Sequence, residues 1–257
     1  MDIVEYSVQN RIAYITLNRP EKRNALNPEL VRELKAALDR AEQDNDAKVI
    51  VLKANGEAFC AGADLAYLQQ LQKFSAEENR KDSNELKELY LRIYRHSKVV
   101  IAQVQGHALA GGCGLATVCD FSVAVPEAKF GYTEVRIGFI PAMVMVFLLR
   151  KIGEARAKEM LLSGELISAE KACEMGVINK VVSAAALETE VTALAQQWAS
   201  SNSSSSMKLT KQMIAEVQHK TLEEALQYAA EMNVQARTSD DCKRGIAAFL
   251  NKEKLTW

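Results

Sequence analysis

Residues 107–120, HALAGGCGLATVCD, constrain the fold more than any other stretch: three glycines and two cysteines stand in a run that is otherwise almost wholly apolar. Glycine weakens a helix and gives a strand nothing to pack, so something must approach this backbone so closely that side chains are cleared away. The run lies between two strand-like segments, KVVIAQVQG before it and DFSVAV after it. It therefore marks a strand-to-helix switch in a chain that alternates β and α elements.

The rest of the chain fits that alternation. IVEYSV and RIAYITL predict a hairpin around a Gln9–Asn10 turn. Asn27 as N-cap and Pro28 in the first turn open a helix with Leu30, Val31, Leu34, Leu38 and Ala41 on one stripe. KVIVLKA reads as a buried strand and residues 76–97 as a polar-faced helix. From residue 143 the pattern is helical, with Gly176 closing SAEKACEMG and VINKVV as a last short strand. Beyond 183 all is helix, broken by a loop at the serine run 200–206, and Thr221 with Glu224 forms a capping box. A boundary near residue 200 divides a core of residues 1–200 from a helical attachment, 201–257, too small to hold a core of its own.

With 257 residues, 48% of them hydrophobic, the chain can bury one large α/β core. A net charge of −1 argues against nucleic acid or an anionic membrane as partner. No apolar run reaches the length of a membrane span, and the acidic, strand-like start is not a targeting peptide. Five cysteines without C-x-x-C spacing fit buried thiols in a reducing cytoplasm. Three scattered histidines, His96, His107 and His219, give no metal set.

Two loops share a design. FCAGADL (59–65) and ALAGGCGLA (108–116) each put small residues ahead of a helix. N–H groups at a helix start are unpaired and carry partial positive charge, so two facing loops can offer two donors to one oxyanion. The plainer reading is a pair of tight corners. There is no G-K-[ST] for a P-loop, and the G-x-G-x-x-G spacing fails at Thr117.

NRPEKRNALN, FCAGADL, LAGGCGLATVCDF, FGYTEVRIGFIP and GIAAFLNKEK stand in the order and spacing of the crotonase (enoyl-CoA hydratase/isomerase) family, which the chain resembles from Asp2 to about Lys254. The resemblance implies an α/β fold, a spiral of β-β-α units with a C-terminal helical trimerisation region, and a homotrimer or a hexamer of two trimers. It implies an oxyanion hole from the N–H groups of Ala63 and Gly111 for a CoA thioester, with a Cβ at 111 expected to block the incoming oxygen. CoA is substrate, and no further cofactor is implied. Glu134 matches the second of two hydratase glutamates, and the first position is Gly114. One carboxyl suffices to move a proton between Cα and Cγ, whereas hydration also needs a held water. The run EVRIG followed by Pro141–Ala142 resembles the methylglutaconyl-CoA hydratase branch; Arg136 or Arg150 is then a candidate for a second substrate carboxylate, the alternative being surface ion pairing.

For CoA the resemblance points to Lys22, Arg23, Ala25 and Leu26, to Ala61, Asp64 and Leu65, and to Lys252 from a neighbouring subunit. Asp64 is expected to cap a helix. Cys113 and His107 stand beside the hole without an adjacent base, which argues against a nucleophile. The leading reading is a 2-enoyl-CoA hydratase. The alternatives are a Δ3,Δ2-enoyl-CoA isomerase with Glu134 as sole acid/base, and a non-catalytic CoA-binding homologue. A serine acyl-transfer reading of Ser205–Lys208 (S-x-x-K) lacks its S-D-N and K-T-G partners.

Overall fold

The computed structural model describes residues 2–257. Strand β1 (Val4–Gln9) pairs antiparallel with β2 (Ile12–Leu17), Val4 opposite Leu17 and Gln9 opposite Ile12. The turn is Asn10–Arg11, one residue later than expected. Both residues have positive φ, 50° and 64°, the backbone that a tight two-residue hairpin requires. Helix α1 (Pro28–Gln43) starts as expected: Asn27 Oδ1 accepts from the Leu30 N–H at 2.8 Å, and the five stripe residues are buried.

The chain then repeats one device. Strands β3 (Val49–Ala54) and β4 (Ala58–Cys60) lead to helices α2 (Leu65–Leu71) and α3 (Ala76–Arg95). Strands β5 (Val99–Val104) and β6 (His107–Leu109) lead to α4 (Gly111–Val118). Strands β7 (Phe121–Ala124) and β8 (Lys129–Gly131) lead to α5 (Ala142–Ser163), which is broken at Gly153, φ 75°. Then come β9 (Ile167–Ser168), α6 (Ala169–Met175, closed by Gly176) and β10 (Lys180–Val181). The first strand of each repeat joins a six-stranded sheet, order β1-β2-β3-β5-β7-β10, parallel from β2 onward. The second joins a four-stranded sheet, order β4-β6-β8-β9, parallel from β4 to β8. This is the expected spiral of β-β-α units. The core between the layers is built on β2, β3 and β5 and on the inner faces of α1, α3 and α4.

Buried and half-buried lysines finish several helices. Lys98 Nζ donates to Asp44 O (2.6 Å) after α1, Lys211 Nζ to Ile93 O (3.1 Å) in the last turn of α3, and Lys151 Nζ to Thr117 O and Cys119 O (2.8 and 3.0 Å) at the end of α4. Each ammonium meets carbonyls that have no partner within the helix, where the negative end of the dipole lies.

Helices α7 (Ala184–Ser201), α8 (Ser204–Val217), α9 (Leu222–Thr238) and α10 (Asp240–Asn251) complete the chain. The serine run is helical except at Asn202–Ser203, which corrects the expected loop. Ser203 Oγ caps the Ser206 N–H at 3.0 Å, and Asp241 accepts from Ser203 Oγ and Ser205 Oγ at 2.5 and 2.6 Å. These bonds occupy Ser205 in fixing α10 to α8, a structural task with no acyl transfer in it. The capping box of Thr221 and Glu224 is present. Helix α8 docks through Lys211, whose Nζ lies 2.6 Å from Asp120 Oδ2. Helix α9 buries no residue, and Leu222, Leu226, Val234, Ile246, Phe249 and Leu250 are exposed. Among the described residues no helix is long and apolar enough to cross a membrane.

Candidate active site

The four-stranded sheet is what gathers the site. Its neighbouring parallel strands β4, β6 and β8 end in three adjacent loops, which carry Ala61–Asp64, Ala110–Gly111 and Tyr132–Glu134. Carboxyl ends of parallel strands are where an α/β fold opens a crevice.

Leu26 sets the first loop. Its N–H donates to Gly62 O at 2.7 Å and its carbonyl accepts from the Asp64 N–H at 2.9 Å, a parallel bridge centred on Ala63. Both peptides flanking Ala63 are thereby fixed, and the Ala63 N–H, opposite Gly62 O, points away from Leu26. Ala63 is exposed. Asp64 caps α2 as expected, accepting from the Ala66 and Tyr67 N–H groups at 2.9 and 3.3 Å. Arg19 also donates to it, at 2.7 Å, and holds its carboxyl below the ordinary aspartate range.

The second loop begins α4. The Gly114 N–H donates to Ala110 O at 3.0 Å, so the same peptide turns its Gly111 N–H outward from the helix. Ala110 holds φ 49°, ψ −123°, a conformation costly for alanine that tends to mark functional turns. Among the described residues neither the Ala63 nor the Gly111 N–H has a hydrogen-bond acceptor. The loops touch: a Cβ on Gly62 would lie 2.8 Å from Ala110 Cβ and 3.5 Å from Gly111 N.

The glycines answer to packing inside the protein. A Cβ on Gly112 would stand 2.1 Å from Cys60 O, and one on Gly111 would meet Leu26 Cδ1 at 2.9 Å and Tyr90 Oη at 3.0 Å. A side chain at 111 would thus strike Leu26 and Tyr90 within the protein. At Gly114 a Cβ would be 2.1 Å from Val144 Cγ1 and 3.3 Å from a Tyr90 ring carbon. The start of α5 fills the place of a glutamate side chain at this position.

The third loop presents Glu134. Its Oε2 is buried with no hydrogen-bond partner among the described residues, and desolvation raises its pKa above the ordinary 4.5. Burial that favours the neutral form makes such a carboxyl a better base when ionised, so it can take a proton and hand it on.

Around this centre, Ala61 donates its N–H to Arg23 O at 3.0 Å, which lays the segment 22–26 along 61–65. Lys22, Arg23 and Leu65 are exposed, while Ala25 and Leu26 are buried; the Leu26 backbone bonds the loop of Ala63 and its Cδ1 lies beside Gly111. Lys252 is not brought here within one chain. It ends α10, whose following segment is tied by the Trp257 N–H to Ser200 O (3.0 Å) and by Arg11 to Trp257 O. Arg11 precedes β2, at the opposite end from Arg19–Leu26. Burial raises the Cys113 thiol to about 11, and His107 Nδ1 accepts from the Lys129 N–H at 3.2 Å; neither forms a nucleophile–base pair. Arg150 donates to Val146 O one turn back in its own helix, and Arg136 lies against Gly164.

Sequence reasoning missed Tyr90 and Val144. Tyr90 is fully buried, and its hydroxyl donates to Gly111 O at 2.8 Å. In the sequence neither stands out: Tyr90 lies in the polar-faced helix 76–97 and Val144 in the helical run that starts at 143.

The family profile described as Enoyl-CoA hydratase/isomerase matches residues 7–257. A Thermus thermophilus protein carrying an enoyl-CoA hydratase name is 41% identical over 244 residues, spanning 95% of this chain and 96% of its own. The 2,3-dehydroadipyl-CoA hydratase of Escherichia coli is 33% identical over 247 residues, 96% of this chain and 94% of its own. Among solved structures, an enoyl-CoA hydratase from Mycobacterium smegmatis superposes with a TM-score of 0.92 at 30% identity, over 99% of this chain and 98% of that one.

Proposed function

Because the chain belongs to the enoyl-CoA hydratase/isomerase family, we propose that it is a hydratase that adds water to a 2-enoyl-CoA, or removes it from the product. The thioester oxygen sits between the Ala63 and Gly111 N–H groups. One observation carries this reading: two backbone donors without acceptors stand on touching loops, and the adjoining loop holds a carboxyl whose Oε2 is buried without a hydrogen-bond partner. The donors stabilise charge on the thioester oxygen when an enolate forms, for which one such donor is worth about 3 to 4 kcal/mol. Glu134 takes a proton from water as its oxygen attacks Cβ, the electron pair of the double bond moves onto the thioester oxygen, and as that pair returns to Cα Glu134 delivers the same proton there.

A second reading is favoured by the side chain of Val144 at Gly114. With no second carboxylate there to hold water, Glu134 alone moves a proton from Cα to Cγ, converting a 3-enoyl-CoA to the conjugated 2-enoyl isomer. For the acyl group, a branched dicarboxylic substrate such as 3-methylglutaconyl-CoA is the finer proposal. Support comes from the EVRIG–Pro141–Ala142 run with Gly114. CoA lies along 22–26 and 61–65, with Lys22 and Arg23 at its phosphates and Lys252 supplied by a neighbouring subunit of a homotrimer or hexamer. The exposed apolar side chains of α9 and α10 support such an assembly.

The test incubates the protein with crotonyl-CoA, 3-methylglutaconyl-CoA and a 3-enoyl-CoA while conjugated-enoyl absorbance is followed. Loss with either 2-enoyl substrate supports hydration, and gain with the 3-enoyl substrate supports isomerisation. CoA binding with no turnover of any of the three overturns both.

A further inference from the structure

We propose that Tyr90 is a positioning residue for this chemistry: its hydroxyl, by holding the Gly111 carbonyl, fixes the first peptides of α4 and so the direction of the Gly111 N–H. The inference rests on the reading of Gly111 as a donor to the thioester oxygen.

The two donor loops are held differently. Ala63 is fixed on both sides by the backbone of Leu26. Gly111 is fixed on its N-terminal side by the Gly114 N–H to Ala110 O and on its C-terminal side by the Tyr90 hydroxyl, 2.8 Å from its carbonyl. Between them Ala110 is kept at φ 49°, ψ −123°, and a strained residue persists only where its surroundings over-determine it. Tyr90 comes from α3, outside the loop, is fully buried, and reaches the first turn of α4.

Its ring also closes the space behind the site. It packs beside Gly114, where a Cβ would stand 3.3 Å away, and tilts against Phe147 of α5 with ring centroids 6.1 Å apart. Burial and the nearby Cys60 and Glu134 keep the phenol protonated far above neutral pH, so it remains a donor throughout the working range. No contact with substrate is assigned to it; it acts through Gly111.

The experiment compares the parent chain, Tyr90→Phe, p-aminophenylalanine placed at residue 90, and Glu134→Gln, each checked by thermal melting and assayed for kcat and KM on the substrate that the parent turns over. Tyr90→Phe is expected to lower kcat about tenfold to a hundredfold, the scale of a misdirected catalytic group, with KM changed less than about threefold. The aminophenylalanine chain, which keeps a donor, is expected to recover most of that loss. A kcat for Tyr90→Phe within about twofold of the parent overturns the proposal, as does a loss that the amino group fails to rescue. If Tyr90→Phe does not fold, the aminophenylalanine chain decides alone: kcat within about threefold of the parent supports the role, and a larger loss overturns it. Glu134→Gln separates the two readings. If it is inactive while Tyr90→Phe is normal, only the role of Tyr90 fails. If it is as active as the parent, the acid/base assignment fails, and kcat in Tyr90→Phe still decides the role of Tyr90.

Discussion

A β-carbon on Gly114 would stand 2.1 Å from Val144 Cγ1, so α4 and α5 pack through a gap only a hydrogen wide. Gly114→Ala is therefore expected to destabilise the fold by about 1 to 3 kcal/mol, the usual cost of overpacking a core. Calorimetric melting measures it. Adding Val144→Ala should recover most of the loss, because the two changes share one space. If Gly114→Ala melts with the parent, the contact is softer than its geometry states.

Glu134 links stability to pH. Burial raises its folded-state pKa above the ordinary 4.5. The folded chain then keeps a proton that the unfolded chain has released, and stability falls as pH climbs from the ordinary value through the raised one. Glu134→Gln abolishes this dependence. The variant should be more stable than the parent above that window, and the difference should close below it. Its rate should fall about 10²- to 10⁴-fold, the usual worth of a general acid/base, with CoA affinity little changed. Denaturant titrations at several pH values, with parallel kinetics, check both effects.

Much of this architecture was legible in the sequence, for physical reasons. Helix α1 declared itself through Asn27, Pro28 and one apolar stripe, and the five motif segments placed Ala63, Gly111 and Glu134. The four-stranded sheet that gathers them was not legible, because β4, β6 and β8 have three residues each and β9 two. So short a run shows no period. The serine run misled because composition suggests a loop, whereas Ser203 caps a helix and Asp241, 36 residues beyond Ser205, holds its neighbours. Tyr90 and Val144 were hidden for the opposite reason: a buried aromatic and a buried valine look alike in every core.

Asp64 joins the donor loop to α2. Asp64→Ala removes the cap of α2 and the partner of Arg19, and should cost about 1 to 2 kcal/mol, as for lost N-caps. Asp64→Asn should keep most of the cap. The lowered pKa of Asp64 gives a stabilisation that is present above the unfolded value and lost as pH falls through the folded one. Urea melts of both variants at neutral pH measure the cap, and a loss equal in the two would contradict it.

The exposed apolar side chains of the last two helices make a separate prediction. If they meet a neighbouring subunit, Leu226→Glu with Phe249→Glu should shift the protein from trimer or hexamer toward monomer in sedimentation velocity. A parent already monomeric at micromolar concentration would contradict this assembly.

The most direct measurement of the central claim follows the α-protons of a saturated acyl-CoA in D2O by proton NMR. Such a thioester has no double bond to hydrate or move, so exchange reports enolate formation alone. The account predicts that the parent protein exchanges an α-proton far faster than buffer, and that Glu134→Gln, still binding the thioester, does not. Equal exchange by the two proteins, or none by a parent that binds the thioester, would contradict it.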